Sequence, residues 1–249
     1  MRCQLLWIQK VYNFLLQPDH CLLCLGRPDN QPLPICSGCQ QDLPWLLHGC
    51  RHCALPIAAG DDECAACQQQ RQPFHKAYCA WRYDFPVNML VGNFKYARDW
   101  PAGRLLSELL IAHLSYLQQE EGLELAEALI PVPLASQRLR QRGYNQALMI
   151  AQWLGQPLQR PVLHNAVRRV RYTRTQQGLD ARQRQANMLN AFQVMQPQQV
   201  AGRHLALVDD VLTTGATCAA LARTLLAAGA RRVDVYCLAR TGRQELMQP

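Results

Sequence analysis

Apolar positions along this chain follow two patterns: short runs with few polar interruptions, and longer stretches in which apolar residues recur at helical spacing. Leu205-Ala-Leu-Val208 and Val233 to Ala239 belong to the first kind, as expected of parallel strands covered on both faces. Between them, residues 216 to 228 are strong helix formers, and Gly229 stands where a helix C-terminus takes a left-handed residue. Ala77 to Tyr83 reads as another strand. Val87 to Tyr96 and Gly103 to Leu117 read as helices separated by Asp99, Trp100 and Pro101, with Gln118 to Gly122 as a surface loop. Leu129-Ile-Pro-Val-Pro-Leu134 predicts a short strand whose prolines mark its end, and Tyr144 to Leu154 a further helix. Leu5, Ile8, Tyr12 and Leu15 share one helical face, so residues 1–17 predict a helix docked on the body or attached to a membrane surface. Strands alternating with helices give an α/β class built on a parallel sheet.

The first third departs from this pattern. Prolines crowd it, and four Cys-x-x-Cys pairs recur at near-equal intervals: Cys21 with Cys24, Cys36 with Cys39, Cys50 with Cys53, and Cys64 with Cys67. Eight thiolates match two tetrahedral zinc ions, and metal would stand in for the missing hydrophobic core. Sequential use of the pairs is the simplest assignment; spacing alone leaves interleaved use open. Disulfides suit an oxidising compartment, and no export signal precedes the pairs. His20, His48 and His52 are superfluous as ligands beside eight thiolates, which makes the zinc structural. Cys3, Cys79, Cys218 and Cys237 fall outside the pattern and read as apolar packing. The expected organisation is a helix over 1–17, a double zinc ribbon over 18–72 and an α/β domain over 73–249.

Chemistry concentrates at one strand end. Asp209 and Asp210 follow the apolar run 205–208, and ligands of open α/β sheets bind at the carboxyl ends of strands. Thr213, Thr214, Gly215, Ala216 and Thr217 then form a turn that opens a helix. Its backbone N–H groups and hydroxyls can converge on one phosphate, aided by the helix dipole. Two acids can hold a sugar diol beside that phosphate. An acidic pair and capping threonines also occur in plain strand-turn-helix units. A phosphate-accepting receiver domain places its acidic pair early, whereas this pair comes late.

Charge narrows the partners. The chain has 249 residues, 49% of them apolar, and a net charge of +8 in which only Lys10, Lys76 and Lys95 are lysines. Between Pro131 and Asn190 there are ten arginines and one acid, Asp180, a field that draws polyanions. The cysteine stretch from Cys21 to Cys67 has only Arg27 and Arg51 against Asp29, Asp42, Asp61, Asp62 and Glu63, which suits protein docking or scaffolding better than gripping phosphate. No window reaches the ~18 apolar residues of a membrane span. A soluble, cytoplasmic protein is expected.

The run from Leu205 to Thr217 resembles the phosphoribosyl pyrophosphate signature of type I phosphoribosyltransferases. In that family the two acids hold the ribose hydroxyls and the loop holds the 5′-phosphate. Over almost the whole chain the resemblance is to the ComF/GntX family. It is carried by the double ribbon, Phe94-Lys95-Tyr96, Pro131-Val-Pro-Leu134, Arg138-Leu-Arg-Gln-Arg-Gly-Tyr-Asn-Gln146, Arg171 with Thr175, Gln176 and Leu179, Arg184 with Asn187, and Ala191-Phe192. Two departures stand out: Ala54 where glycine often follows the cysteine, and Asp180 where serine is usual. The resemblance implies a phosphoribosyltransferase-like fold that binds phosphoribosyl pyrophosphate with magnesium and acts in natural competence or the use of external DNA. It also implies Asp209 and Asp210 as the ribose-holding acids, the loop 213–217 as phosphate site, Arg138 and Arg142 as clamps on the diphosphate, Lys95 as a further phosphate contact, and a closing loop from Arg168 to Asn187. Pentosyl transfer to an acceptor is one activity this admits. The alternative is a non-catalytic adaptor that grips single-stranded DNA, with a helicase or the DNA-uptake machinery as partner.

Overall fold

The computed structural model describes residues 19–29, 32–170 and 191–242. The helix expected over 1–17, Cys3, and most of the closing loop with Arg171, Thr175, Gln176, Leu179, Asp180, Arg184 and Asn187 lie outside them.

Four parallel strands form the central sheet: β1 (Ala77–Arg82), β2 (Ala128–Pro131), β5 (His204–Leu212) and β6 (Arg232–Arg240), in the order β1-β6-β5-β2. The last strand therefore pairs with the first. Both sheet faces are buried, which is why the strands read as nearly continuous apolar runs. Tyr78, Ala80, Leu129, Ala206, Val208, Tyr236 and Leu238 join one core with helices α3 (Val87–Gly92), α4 (Trp100–Glu120) and α6 (Gln146–Gly155). Ala77, Cys79, Ala128, Ile130, Leu205, Leu207, Val235 and Cys237 join the other, beneath α7 (Ala216–Ala227) and the antiparallel pair β3 (Val167–Arg169) and β4 (Phe192–Val194).

Several boundaries differ from expectation, each for a local reason. Helix α4 starts at Trp100 because the Asp99 carboxylate accepts the Ala102 N–H at 3.1 Å and Pro101 falls in the first turn, where it costs no hydrogen bond. It continues to Glu120 through the expected loop. Helix α3 runs into a π-helical turn, Asn93–Ala97, that ends at Arg98 with φ +58°. The arginine run is itself helical, α5 (Ser136–Arg142), closed by Gly143 at φ +83°. Strand β5 continues through the acids to Leu212, because β6 pairs with it as far as Leu212 opposite Arg240. Gly229 has the expected left-handed φ, +93°.

The cysteine segment consists of two copies of one unit. In each, a Cys-x-x-Cys turn ends on a left-handed residue, Leu25 (φ 63°) or Ala54 (φ 55°). The first cysteine's N–H reaches the carbonyl five residues on, Gly26 at 2.7 Å and Leu55 at 2.8 Å. Its second pair opens a short helix, α1 (Ser37–Gln41) or α2 (Ala65–Gln69), one cysteine capping it and the other lying within it. The two units straddle the free edge of β1: Arg82 N–H donates to Pro44, Leu46 N–H to Ala80 and Ala77 N–H to His52. The first unit packs in the α4-side core and the second in the α7-side core.

Candidate ligand cleft and metal centres

In each unit the four sulfurs lie within 4.8 Å of one another, and the pairing is sequential: Cys21, Cys24, Cys36 and Cys39, then Cys50, Cys53, Cys64 and Cys67. A tetrahedron with Zn–S bonds of about 2.3 Å has edges of roughly 3.8 Å. Cys24 to Cys36 and Cys53 to Cys64 each measure 3.7 Å between sulfurs. Burial works against ionising Cys50, but the N–H groups of Cys64, Cys53 and His52 outweigh it and bring the thiol down to about 7. At Cys21 the N–H groups of Cys24, Cys36 and Leu23 likewise overcome burial, to about 6. Burial, with the neighbouring thiols, holds Cys39, Cys53 and Cys67 above their usual range; the donor type and the spacing fit both clusters for zinc. Cys79, Cys218 and Cys237 are buried and free, as expected of apolar packing.

At the carboxyl ends of β2 and β5 a cleft of about 280 Å³ opens. It gathers Asp209, Asp210, Thr213, Gly215, Ala216, Thr217, Lys95, Arg138 and Arg142, residues that the sequence spreads over about half the chain. Strand pairing explains the convergence: Pro131 lies opposite Val208, so the end of β2 sits beside the acids. Asn145 fastens this corner, its amide donating to the Val132 carbonyl at 3.1 Å while its oxygen accepts the Ala147 N–H to cap α6.

The two acids have different neighbours. Asp210 is buried, and its carboxylate meets the Lys95 ammonium at 3.0 Å. Lys95 stands on the π-helical turn, so it is the acid's counter-ion rather than a free surface cation. Asp209 is pushed up to about 7, first by burial and then by the neighbouring Asp210 charge; the Asp210 N–H, Lys95 and Arg142 offset only part of this. Burial and the Asp209 charge together hold the Cys218 thiol well above its usual range.

Gly215 begins α7 with φ +76° and ψ −2°, a conformation that side chains resist. The first helical hydrogen bond at this end runs from Ala219 N–H to Gly215. Thr217 and Cys218 N–H groups thus have no acceptor among the described residues, while Thr214 does not line the cleft and turns its hydroxyl to the Ala216 N–H at 3.3 Å. Open amides at a helix start attract an anion. Across the cleft, Arg142 donates to Gln146 at 2.8 Å and stacks on the Tyr96 ring, 5.0 Å from its centre. Arg169 joins Arg138 at the rim.

No family profile matches the chain. Competence protein F of Haemophilus influenzae is 35% identical over 221 residues, covering 88% of this chain and 96% of the relative. The chain belongs to the ComF/GntX family. Other relatives are the DNA utilization protein YhgH of Salmonella typhimurium, 35% identical with 91% and 99% covered, and competence protein ComFC of Bacillus subtilis, 25% identical with 92% and 88% covered. Among solved structures, the glutamine phosphoribosylpyrophosphate amidotransferase of B. subtilis, complexed with ADP and GMP, gives a TM-score of 0.37 at 20% identity, over 54% of this chain and 25% of that one. That likeness is too loose to carry an argument about this member of the family.

Sequence reasoning missed Arg240, Tyr83, Asn145 and Gln146. Tyr83, Asn145 and Gln146 line the cleft; Asn145 and Gln146 close the arginine motif, whose pattern points only to its cations. Arg240 is 4% exposed at the end of β6, and its position opposite Leu212, where the turn departs from the sheet, follows only from the β5–β6 register. Among the described residues no helix is long and apolar enough to cross a membrane.

Proposed function

We propose that this protein binds phosphoribosyl pyrophosphate, with magnesium, in the cleft at the ends of β2 and β5, and that it serves the use of external DNA, as the names of its relatives suggest. The observation that carries the reading is the convergence of an acid pair, open helix-start amides and arginines on one cleft. Each matches one part of the ligand. The 5′-phosphate suits the amides of the 213–217 turn. Ribose hydroxyls suit Asp209 and Asp210, and the diphosphate suits the forked guanidinium groups of Arg138 and Arg142. Magnesium, which prefers substrate oxygens and few carboxylates, neutralises diphosphate charge when bound. In a transfer reaction an acceptor lone pair forms a bond to the anomeric carbon, while the bond from that carbon to the diphosphate oxygen breaks and its electrons leave with the diphosphate. Asp209 and Asp210 then orient the sugar as positive charge builds on it, and the arginines stabilise the leaving group.

Isothermal titration of the full chain with phosphoribosyl pyrophosphate tests this. Binding is expected only with magnesium, and Asp209→Asn combined with Asp210→Asn is expected to abolish it. Unaltered binding by that double variant contradicts the reading.

A second reading, a single-strand DNA adaptor, is favoured by one observation: Tyr96 is 76% exposed and stacked on Arg142 beside the arginine-rich helix α5. An aromatic face among arginines is what a nucleic-acid base stacks on. This reading expects DNA binding that weakens steeply with salt, survives the double Asn change and is lost in Arg138→Ala with Arg142→Ala.

A further inference from the structure

The second cysteine cluster and the phosphate-type turn are joined by one side chain. Arg240 is almost fully buried, and among the described residues no carboxylate pairs with it. Its guanidinium instead collects backbone oxygens from three separate segments. Nε donates to the Cys53 carbonyl at 2.9 Å; the two hydrogens of Nη1 are shared among the carbonyls of Leu212 at 2.9 Å, Thr241 at 3.1 Å and Thr213. Cys53 belongs to the second cluster, whereas Leu212 and Thr213 lead directly into the turn at Gly215. The planar fork fixes these oxygens relative to one another, which a flexible ammonium cannot do. A second contact runs in parallel. Phe74 is buried in one core with Cys50, Cys53, Cys64 and Cys67, and its ring would lie 3.8 Å from a Cβ placed on Gly215. Among the described residues the first cluster has no such link: Cys21 packs with Ile35, Leu43 and Trp81 in the core on the other side of the sheet.

We infer that Arg240 is a positioning residue that makes the geometry of the 213–217 turn depend on metal at the second cluster and not at the first. Metal there fixes the Cys53 carbonyl; that carbonyl orients the guanidinium, and the guanidinium sets where the turn begins. Coupling of this kind is reciprocal, so an anion held by the turn must slow metal loss from the second cluster. Only that last, ligand-dependent consequence rests on the proposed function.

Hydrogen exchange on the zinc-loaded full chain reads the coupling without any ligand. In Cys64→Ser, amides of 212–218 are expected to exchange at least about fivefold faster than in wild type, and in Cys36→Ser to stay unchanged. Arg240→Lys is expected to reproduce the faster turn exchange while native mass spectrometry still counts two zinc ions. Exchange of β5 residues 205–208 reports whether each variant remains folded. If Cys64→Ser loses its fold, zinc release from Arg240→Lys to a colorimetric chelator takes its place: the second ion leaves faster than from wild type and the first at the wild-type rate. Equal turn exchange in wild type and Cys64→Ser, or an equal effect of Cys36→Ser, overturns the inference. Release rates for both ions in Arg240→Lys that match wild type overturn it as well. In the ligand arm, phosphoribosyl pyrophosphate with magnesium is expected to slow release of the second ion from wild type and not from Arg240→Lys. If exchange shows the coupling and the ligand slows nothing, the ligand assignment fails and the coupling stands.

Discussion

Asp209 shows how much a single residue's surroundings decide. An acid whose ordinary value is 3.8 and which sits at about 7 in the fold binds its proton more tightly folded than unfolded. Between those two values the native state holds the extra proton, so Asp209 lowers stability as pH rises through that interval. A ligand that requires the carboxylate must expel this proton. Binding of phosphoribosyl pyrophosphate is therefore expected to tighten from pH 6 to pH 8, with proton uptake by buffer visible in titrations run in two buffers of different ionisation enthalpy. Asp209→Asn is expected to remove that proton release. Ala54 gives a second prediction at this scale. Its φ of 55° is a region where a Cβ is unfavourable, so Ala54→Gly is expected to raise stability by about 1 kcal/mol in denaturant unfolding, with zinc stoichiometry unchanged. The sequence already showed alanine where the family often has glycine, and the turn forms there in the left-handed conformation that favours glycine.

Among the elements, the joint between the π-helical turn and α4 is what brings Lys95 to Asp210. Gly103 lets it form: a Cβ there would lie 2.5 Å from the Phe94 ring, next to Lys95. Gly103→Ala is expected to cost about 1–3 kcal/mol in unfolding and to weaken ligand binding through Lys95; wild-type stability and affinity would show that the joint has slack. Elements of this size were readable where one local signal dominated. Apolar runs announced β5 and β6, and Gly229 announced the end of α7. Less was readable where a tertiary partner decides. Strand β5 passes through two acids because β6 supplies partners up to Leu212, whereas α5 closes on a local signal that was there to read, Gly143 in a left-handed turn. No local pattern foretold the salt bridge of Lys95, because its acid lies more than a hundred residues away in the chain.

As a whole, the molecule is a parallel sheet whose β1 edge is covered by cysteine units instead of a further strand. Covering an edge in this way blocks unwanted strand pairing, and the edge bonds to Pro44, Leu46 and His52 should last only as long as the units do. Chelating both metals is expected to expose the Ala77 and Arg82 amides to hydrogen exchange while β5 amides stay protected; loss of protection across the entire sheet would mean that metal holds up the complete fold. The cysteine spacing left sequential and interleaved pairing open, and the distances decide for sequential. Composition made no distinction between the two centres, although one adjoins the cleft and the other lies across the sheet. The central claim concerns the cleft, and crystals grown with phosphoribosyl pyrophosphate and magnesium test it most directly. Density is expected with the 5′-phosphate on the amides of Gly215 to Cys218 and the ribose hydroxyls on Asp209 and Asp210. A ligand bound only along the arginines of α5, or a cleft that stays empty at saturating concentration, would contradict it.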